Sequence, residues 1–174
     1  MPSKRRNPQK QAVVAAMQTF SADGKLHASM SMVLDSFRVR VHNTVDNSLV
    51  VDYKHQETAK CHGLYLDNDL LAICLDSGSV LLYSIVQGSI STLTGLASPC
   101  VDFAIGKTHC YALGSNGTLI EYESKSGAST RTLATKKACS TLAISKKYLA
   151  LGGNQIDLVD LKTFKVSSVS LFLM

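Results

Sequence analysis

Tryptophan is absent from this chain of 174 residues, and proline occurs only three times. No apolar run approaches the ~20 residues of a membrane helix, which excludes a helical span. The five cysteines (Cys61, Cys74, Cys100, Cys110, Cys139) form no C-x-x-C pair, and their number is odd. A disulfide framework is therefore not expected. No H-E-x-x-H, EF-hand or G-x-x-x-x-G-K-[ST] pattern occurs, so no metal or phosphate-loop signature is present. The apolar part of the N-terminus, Ala12–Met17, falls short of the ~7–15 residues of a signal-peptide core. The expectation is an intracellular protein without a cofactor.

What remains is globular in composition. Hydrophobic residues make up 45% and charged residues 18%, which separates the chain from disordered sequences. The net charge is +5 with a pI near 9.0. A basic balance of this size suits an acidic partner such as nucleic acid without requiring one.

The dominant feature is a repeated phrase. "DSGSVLLY" at Asp76–Tyr83 returns as "SNGTLIEY" at Ser115–Tyr122. Four windows share one order: Phe20–Lys54, Gly63–Gly95, Val101–Ala134 and Thr141–Leu173. A short apolar strand meets a polar turn, then a small apolar strand such as "LLAICL" or "YLALGG". A second turn follows, with Gly78 and Gly117 in the clearest copies. The third strand ends at His42, Tyr83, Tyr122 or Val159, and a fourth strand rich in Ser, Thr and Val closes the unit. Short runs of β-branched and aromatic residues bounded by Gly, Asn, Asp and Ser read as strands. Asn-Gly and Ser-Gly supply the positive φ of tight hairpins. No segment after Phe20 keeps a helical apolar period.

The four third-strand positions are spaced by 41, 39 and 37 residues. A four-stranded unit recurring every ~40 residues predicts an all-β, WD-repeat-like β-propeller. Four degenerate blades are expected at about 20–60, 61–99, 100–138 and 139–174, after a basic tail over 1–19. Neither the Trp-Asp pair nor the Gly-His signature of such repeats is present. Propellers usually close with 4–8 blades. Four blades therefore suggest truncation, a partner that completes the ring, or a small closed ring.

The residues offer little for catalysis. Cys61 and His62 could form a nucleophile–base pair, but strand neighbours point to opposite faces. Buried structural thiols and no enzyme activity are the expectation. The tail carries Lys4, Arg5, Arg6 and Lys10 with no acid before Asp23, a pattern suited to nuclear localisation or RNA phosphate contact. In the blade arrangement, the first-to-second and third-to-fourth turns share one face. Lys25, Lys107, Lys125, Lys146, Lys147 and Lys162 fall there, as do Asp23, Asp46, Asp67 and Asp69. Lys107, Lys125, Lys146, Lys147 and Lys162 thus predict a basic face on the third and fourth blades, where phosphates could dock.

The second window, "NDLLAICLDSGSVLLYSIVQGSISTLTG", resembles the second blade of the WD-repeat protein forty-three / U-three-protein five family. "FSADGKLHAS…FRVRVHNTVDNSLVVDY", "SNGTLIEYESKSGASTRTL" and "LAISKKYLALGGNQIDLVDLKTFKV" are similar to its first, third and fourth blades. His42, Tyr122 and Val159 stand where that family carries Trp. The resemblance covers Phe20 to about Ser168 and lacks the remaining blades and the helical C-terminal domain. It implies a non-catalytic scaffold of the t-UTP (UTP-A) part of the small-subunit processome in the nucleolus. Other WD-repeat subunits and the 5′ external spacer of pre-ribosomal RNA would be its partners. A propeller adaptor in another intracellular complex is the alternative.

Overall fold

The structure is a computed structural model, and it describes residues 15–33, 36–56, 59–135 and 139–168. Among these residues the chain is all β, in four four-stranded antiparallel sheets that each follow chain order. Sheet 1 holds β1 (Ala15–Phe20), β2 (Leu26–Val33), β3 (Ser36–Asn43) and β4 (Leu49–His55). Sheet 2 holds β5 (Cys61–Leu66), β6 (Leu70–Leu75), β7 (Val80–Ser84) and β8 (Ser89–Leu93). Sheet 3 holds β9 (Cys100–Ile105), β10 (His109–Gly114), β11 (Thr118–Glu123) and β12 (Ser129–Ala134). Sheet 4 holds β13 (Cys139–Ile144), β14 (Tyr148–Gly153), β15 (Ile156–Asp160) and β16 (Lys165–Ser168).

One boundary differs from the sequence reading. β1 begins at Ala15, inside the span assigned to the tail. Thr19 and Phe20 pair with Ala28 and His27, and Met17 packs against the core between sheets 1 and 2. The pairing partner, not local turn chemistry, makes this segment a strand.

A repeated backbone bond fixes the equivalence of the sheets. The amides of Thr44, Ile85, Ser124 and Leu161 donate to the carbonyls of Lys25, Asp69, Thr108 and Lys147, at 2.9, 2.9, 3.0 and 2.9 Å. Each bond ties the third-to-fourth turn to the first-to-second turn of its own sheet, so both turns lie at one end. His42, Tyr83, Tyr122 and Val159 each precede the donating amide by two residues and occupy one structural position. At the opposite end, Gly78 and Gly117 adopt φ of 84° and 82°. A Cβ on Gly78 would lie 2.6 Å from the carbonyl oxygens of Leu96 and Ser98, so the position demands glycine on both counts.

The sheets pack face to face through their first strands, β1 on β5, β5 on β9 and β9 on β13. Three apolar cores fill the spaces between them. Ala28, Met30, Val39 and Val41 meet Leu64, Leu71 and Ile73. Ala72, Cys74 and Leu82 meet Phe103, Ala112 and Tyr122. Tyr111, Leu113 and Leu119 meet Leu149, Leu151 and Val159. Tyr122 also donates its hydroxyl to the Thr94 carbonyl at 2.8 Å, across the boundary between sheets 2 and 3. The result is an open ring of four blades.

The two flanks of this arc differ. Ala150 and Leu158 are register partners at the positions of Ala28/Val41 and Ala72/Leu82. Those two pairs are buried, whereas Ala150 and Leu158 are half-buried. Sheet 4 thus carries an inter-blade face with no further sheet on it among the described residues. The free face of sheet 1 is mostly polar instead, with Phe20 exposed beside His27. His27/His42 and Ser29/Arg40 pair there, at the positions of Leu71/Tyr83 and Ile73/Leu81.

Candidate interaction face

Pairs of turns from each sheet line one end of the arc, and this end collects most of the sequence-predicted basic residues. Lys107, Lys125, Lys146, Lys147 and Lys162 all lie in these turns and are exposed. Asp23, Asp46, Asp67 and Asp69 occupy the corresponding turns of sheets 1 and 2. The face is therefore divided, acidic over the first two sheets and basic over the last two. Lys25 is neutralised locally by Asp23 at 3.3 Å. Lys147 lies 5.2 Å from the Tyr148 ring centroid, and its ammonium pKa is raised by that tyrosine. Lys4, Arg5, Arg6 and Lys10 lie outside the described residues.

Several turn carboxylates are committed to holding the backbone. Asp160 accepts from the amides of Lys162 and Thr163 at 2.9 and 2.8 Å. The Thr163 amide bond is the main cause that lowers its pKa. Asp46 does the same work for Ser48, accepting from its hydroxyl at 2.7 Å and its amide at 3.0 Å. The Asp160 bonds shape the turn that presents Lys162.

The signature positions are structural. Tyr122 and Val159 are buried, and His42 and Tyr83 are half-buried. Burial pushes the Tyr122 phenol up to about 12. Tyr83, Tyr122 and Val159 sit between neighbouring sheets, as Tyr83 does by packing its ring against Tyr53, whereas His42 lies on the free face of sheet 1.

Cys61 and His62 do not form a catalytic pair. His62 is exposed on β5, while Cys61 turns inward and donates to the Gly63 carbonyl at 3.3 Å. Burial raises the Cys61 thiol to about 11, away from the depressed values of nucleophilic cysteines. Cys61 is half-buried, and Cys74, Cys100, Cys110 and Cys139 are buried. The Cys74 and Cys100 sulfurs lie 3.2 Å apart between sheets 2 and 3. This contact, together with burial, raises the Cys74 thiol well above its usual range. Among the described residues no cluster of His, Cys, Asp and Glu could hold a metal ion.

The sequence reading missed the chemistry in the wedge between sheets 3 and 4. Glu121 lies on β11 with its side chain only 2% exposed. Arg131 donates from Nε to its carboxylate at 2.7 Å, and Thr130 donates its hydroxyl at 2.6 Å. The same guanidinium reaches sheet 4, donating to the carbonyls of Leu161 at 2.8 Å and Lys162 at 3.2 Å. It also stacks 4.5 Å above the Phe164 ring. Desolvation pushes the Glu121 pKa up, but the bonds from Arg131 and Thr130 outweigh it and hold the carboxyl below its usual range. A signal was visible in "LIEYE": one carboxylate inside a buried apolar strand needs a partner.

The corresponding wedge between sheets 2 and 3 is open. A groove of about 520 Å³ there is lined by Leu70, Leu82, Val86 and Ile90, by Ser84, Gln87, Ser89, Ser91 and Ser124, and by Asp69, Lys107 and Lys125. A smaller cavity of about 310 Å³, lined by Tyr65 and Phe103 among others, opens beside the ends of β1, β5 and β9.

No protein-family model and no curated protein match the chain. Solved structures do. The chain is similar to a component of the structure "Crystal Structure of Mitotic Checkpoint Complex", with 15% identity, 90% of this chain and 52% of that chain covered, and a TM-score of 0.73. It is similar to "Crystal structure of RRP9 WD40 repeats", with 13% identity, 93% and 52% covered, and a TM-score of 0.71. The WD40 domain of Toxoplasma gondii coronin shares 14% identity over 83% of this chain and 43% of that one, with a TM-score of 0.71. The chain thus spans about half the length of these structures. Four repeated meanders, their packing and these likenesses agree: the chain folds as four blades of a WD40-type β-propeller in an open ring.

Proposed function

We propose that this protein is a non-catalytic scaffold that binds protein and RNA within the small-subunit processome, as a t-UTP (UTP-A) subunit in the nucleolus. The observation that carries the reading is the phrase "NDLLAICLDSGSVLLYSIVQGSISTLTG", which resembles one family and spans β6 to β8 with the turns on either side. A propeller fold supports the scaffold role, since it presents many turns from neighbouring blades at one end. The exposed lysines of sheets 3 and 4 supply a surface that pre-ribosomal RNA could meet through its phosphates, and Lys4, Arg5, Arg6 and Lys10 add to the same charge. Phosphate contacts of this kind weaken steeply as salt rises.

The test is affinity purification of the tagged endogenous protein at moderate salt, with bound proteins and RNA identified. Recovery of WD-repeat processome subunits with 5′-spacer pre-rRNA is the expected result. Recovery of an unrelated complex without RNA would overturn it in favour of an adaptor elsewhere. Deletion of Met1–Lys10 separates the two further: the processome reading predicts loss of nucleolar enrichment, whereas a generic adaptor is indifferent to it.

A further inference from the structure

The open wedge between sheets 2 and 3 has a specific origin. Glu121 pairs with Arg131 across β11 and β12, and the equivalent pair in sheet 2 is Leu82 with Ser91. A second difference lies in the turns. The amides of Gly88, Gly127 and Phe164 close the third-to-fourth turns of sheets 2, 3 and 4 by donating to Ser84, Glu123 and Asp160. They are therefore equivalent, and all have positive φ. The wedge between sheets 3 and 4 is plugged by Arg131 stacked on Phe164. In the wedge between sheets 2 and 3 those two places hold Ser91 and Gly127. Both plugging side chains are missing: Ser91 lines the groove, and at Gly127 a Cβ would already meet the Leu93 side chain at 3.0 Å.

The groove is not merely a void. Its apolar lining comes from Leu70, Leu82, Val86 and Ile90, and Val86 is 78% exposed and Ile90 44%. Lys107 and Lys125 stand in its lining against one carboxylate, Asp69. Among the described residues neither ammonium has a carboxylate within ion-pair distance. The carbonyls of Ser124 and Lys125 are the equivalents of Leu161 and Lys162, but here no guanidinium comes across to them. Apolar floor, unpaired ammonium groups and available carbonyls together describe one kind of ligand. An extended peptide places an apolar side chain on the floor, a carboxylate at the lysines and backbone amides toward the carbonyls.

We propose that the groove between sheets 2 and 3 is a docking site for an extended peptide that combines acidic and large apolar residues. This holds whichever assembly the chain belongs to, and it assigns Lys107 and Lys125 to protein binding while leaving Lys146, Lys147 and Lys162 for phosphates. An RNA strand fits less well, because its phosphates would use the lysines but leave the apolar floor uncovered.

The experiment titrates the whole protein into a fluorescein-labelled peptide alternating Leu with Glu, read by anisotropy. Saturable binding is expected, and the matching Leu/Lys peptide should not bind. Ser91→Phe fills the wedge at an exposed site, and Lys107→Glu with Lys125→Glu reverses the charge. Each should weaken binding by about tenfold or more, while Lys146→Glu with Lys147→Glu should not. Circular dichroism confirms that the variants fold. No saturable binding of the Leu/Glu peptide, or binding unchanged by Ser91→Phe, overturns the proposal. So does a single-stranded RNA oligonucleotide that displaces the peptide and is itself lost with Lys107→Glu and Lys125→Glu.

Discussion

The wedge between sheets 3 and 4 and the wedge between sheets 2 and 3 are built on the same backbone and filled by opposite means. One is closed by a buried ion pair whose arginine crosses to the neighbouring blade. The other has leucine and serine at the same register and stays open. The repeat therefore specifies strands, turns and the inner core, while the outer wedge is free to vary. At one boundary that freedom joins two blades, and at the next it leaves a surface for something else.

The largest effect should come from removing the plug. Arg131→Ala loses the ion pair, both carbonyl bonds and the stack on Phe164, and leaves Glu121 buried beside Thr130. Breaking a buried pair from one side costs about 3–5 kcal/mol, but Arg131 keeps some contact with water, so about 2–3 kcal/mol is expected. Ser91→Ala, in the open wedge, should change stability by less than about 0.5 kcal/mol. Urea titration followed by circular dichroism measures both. The comparison sharpens with Glu121→Leu plus Arg131→Ser, which gives the closed wedge the residues of the open one. That double variant should recover most of the loss, since an apolar replacement of a buried pair is often neutral. If it is no more stable than Arg131→Ala alone, burial of the unpaired carboxylate is not the cause.

Much of this architecture is legible in the sequence, because hairpins announce themselves locally. The second strands "LLAICL", "HCYALG" and "YLALGG" are β6, β10 and β14 residue for residue. Gly78 and Gly117 mark their turns through a φ that other residues avoid. The third-strand positions from His42 to Val159 align because every blade closes with the same backbone bond. β1 is different. "AAMQTF" has no turn signal before it, and only its pairing with β2 makes it a strand. The wedge chemistry was hidden for a related reason. Arg131 faces Glu121 through a register that shifts between Glu121 and Tyr122, and its other partners belong to the next sheet. A groove made by missing side chains has no local signal at all. The split of charge over the turn face was readable, because turn positions follow directly from the blade order.

Acid should erode the difference between the two wedges. The Glu121 pKa is lowered from its usual 4.5, so its stabilising contribution is fully present above that unfolded value. It is lost as pH falls through the lower, folded value. The stability difference between the wild type and Arg131→Ala should therefore be largest near neutral pH and shrink below about pH 4.5. Thermal melts of both proteins at pH 7 and pH 3 test this. A difference that grows on acidification would mean that the carboxylate is not the group held by Arg131.

A smaller effect than that of Arg131→Ala belongs to Phe164, where two contributions oppose each other. The ring lies beneath Arg131, and losing that contact should cost about 0.5–1 kcal/mol at a partly exposed site. Phe164 also holds a φ of 53°, the left-handed conformation that costs a non-glycine residue about 1–2 kcal/mol. Phe164→Gly removes both, and it also loses the burial of a large side chain that is 7% exposed. Burial alone is worth about 1.5–3 kcal/mol for such a side chain, so a net destabilisation of about 1–2 kcal/mol is expected. Phe164→Leu keeps the strain and much of the burial but removes the ring, so it isolates the stack on Arg131. Adding Arg131→Ala to each variant completes a double-mutant cycle in urea. A coupling near zero for Phe164→Leu would show that the guanidinium is held by Glu121 and the Leu161 and Lys162 carbonyls alone. A coupling near the full cation–π value would show that the aromatic ring, present only in the closed wedge, helps to hold Arg131 across the blade boundary.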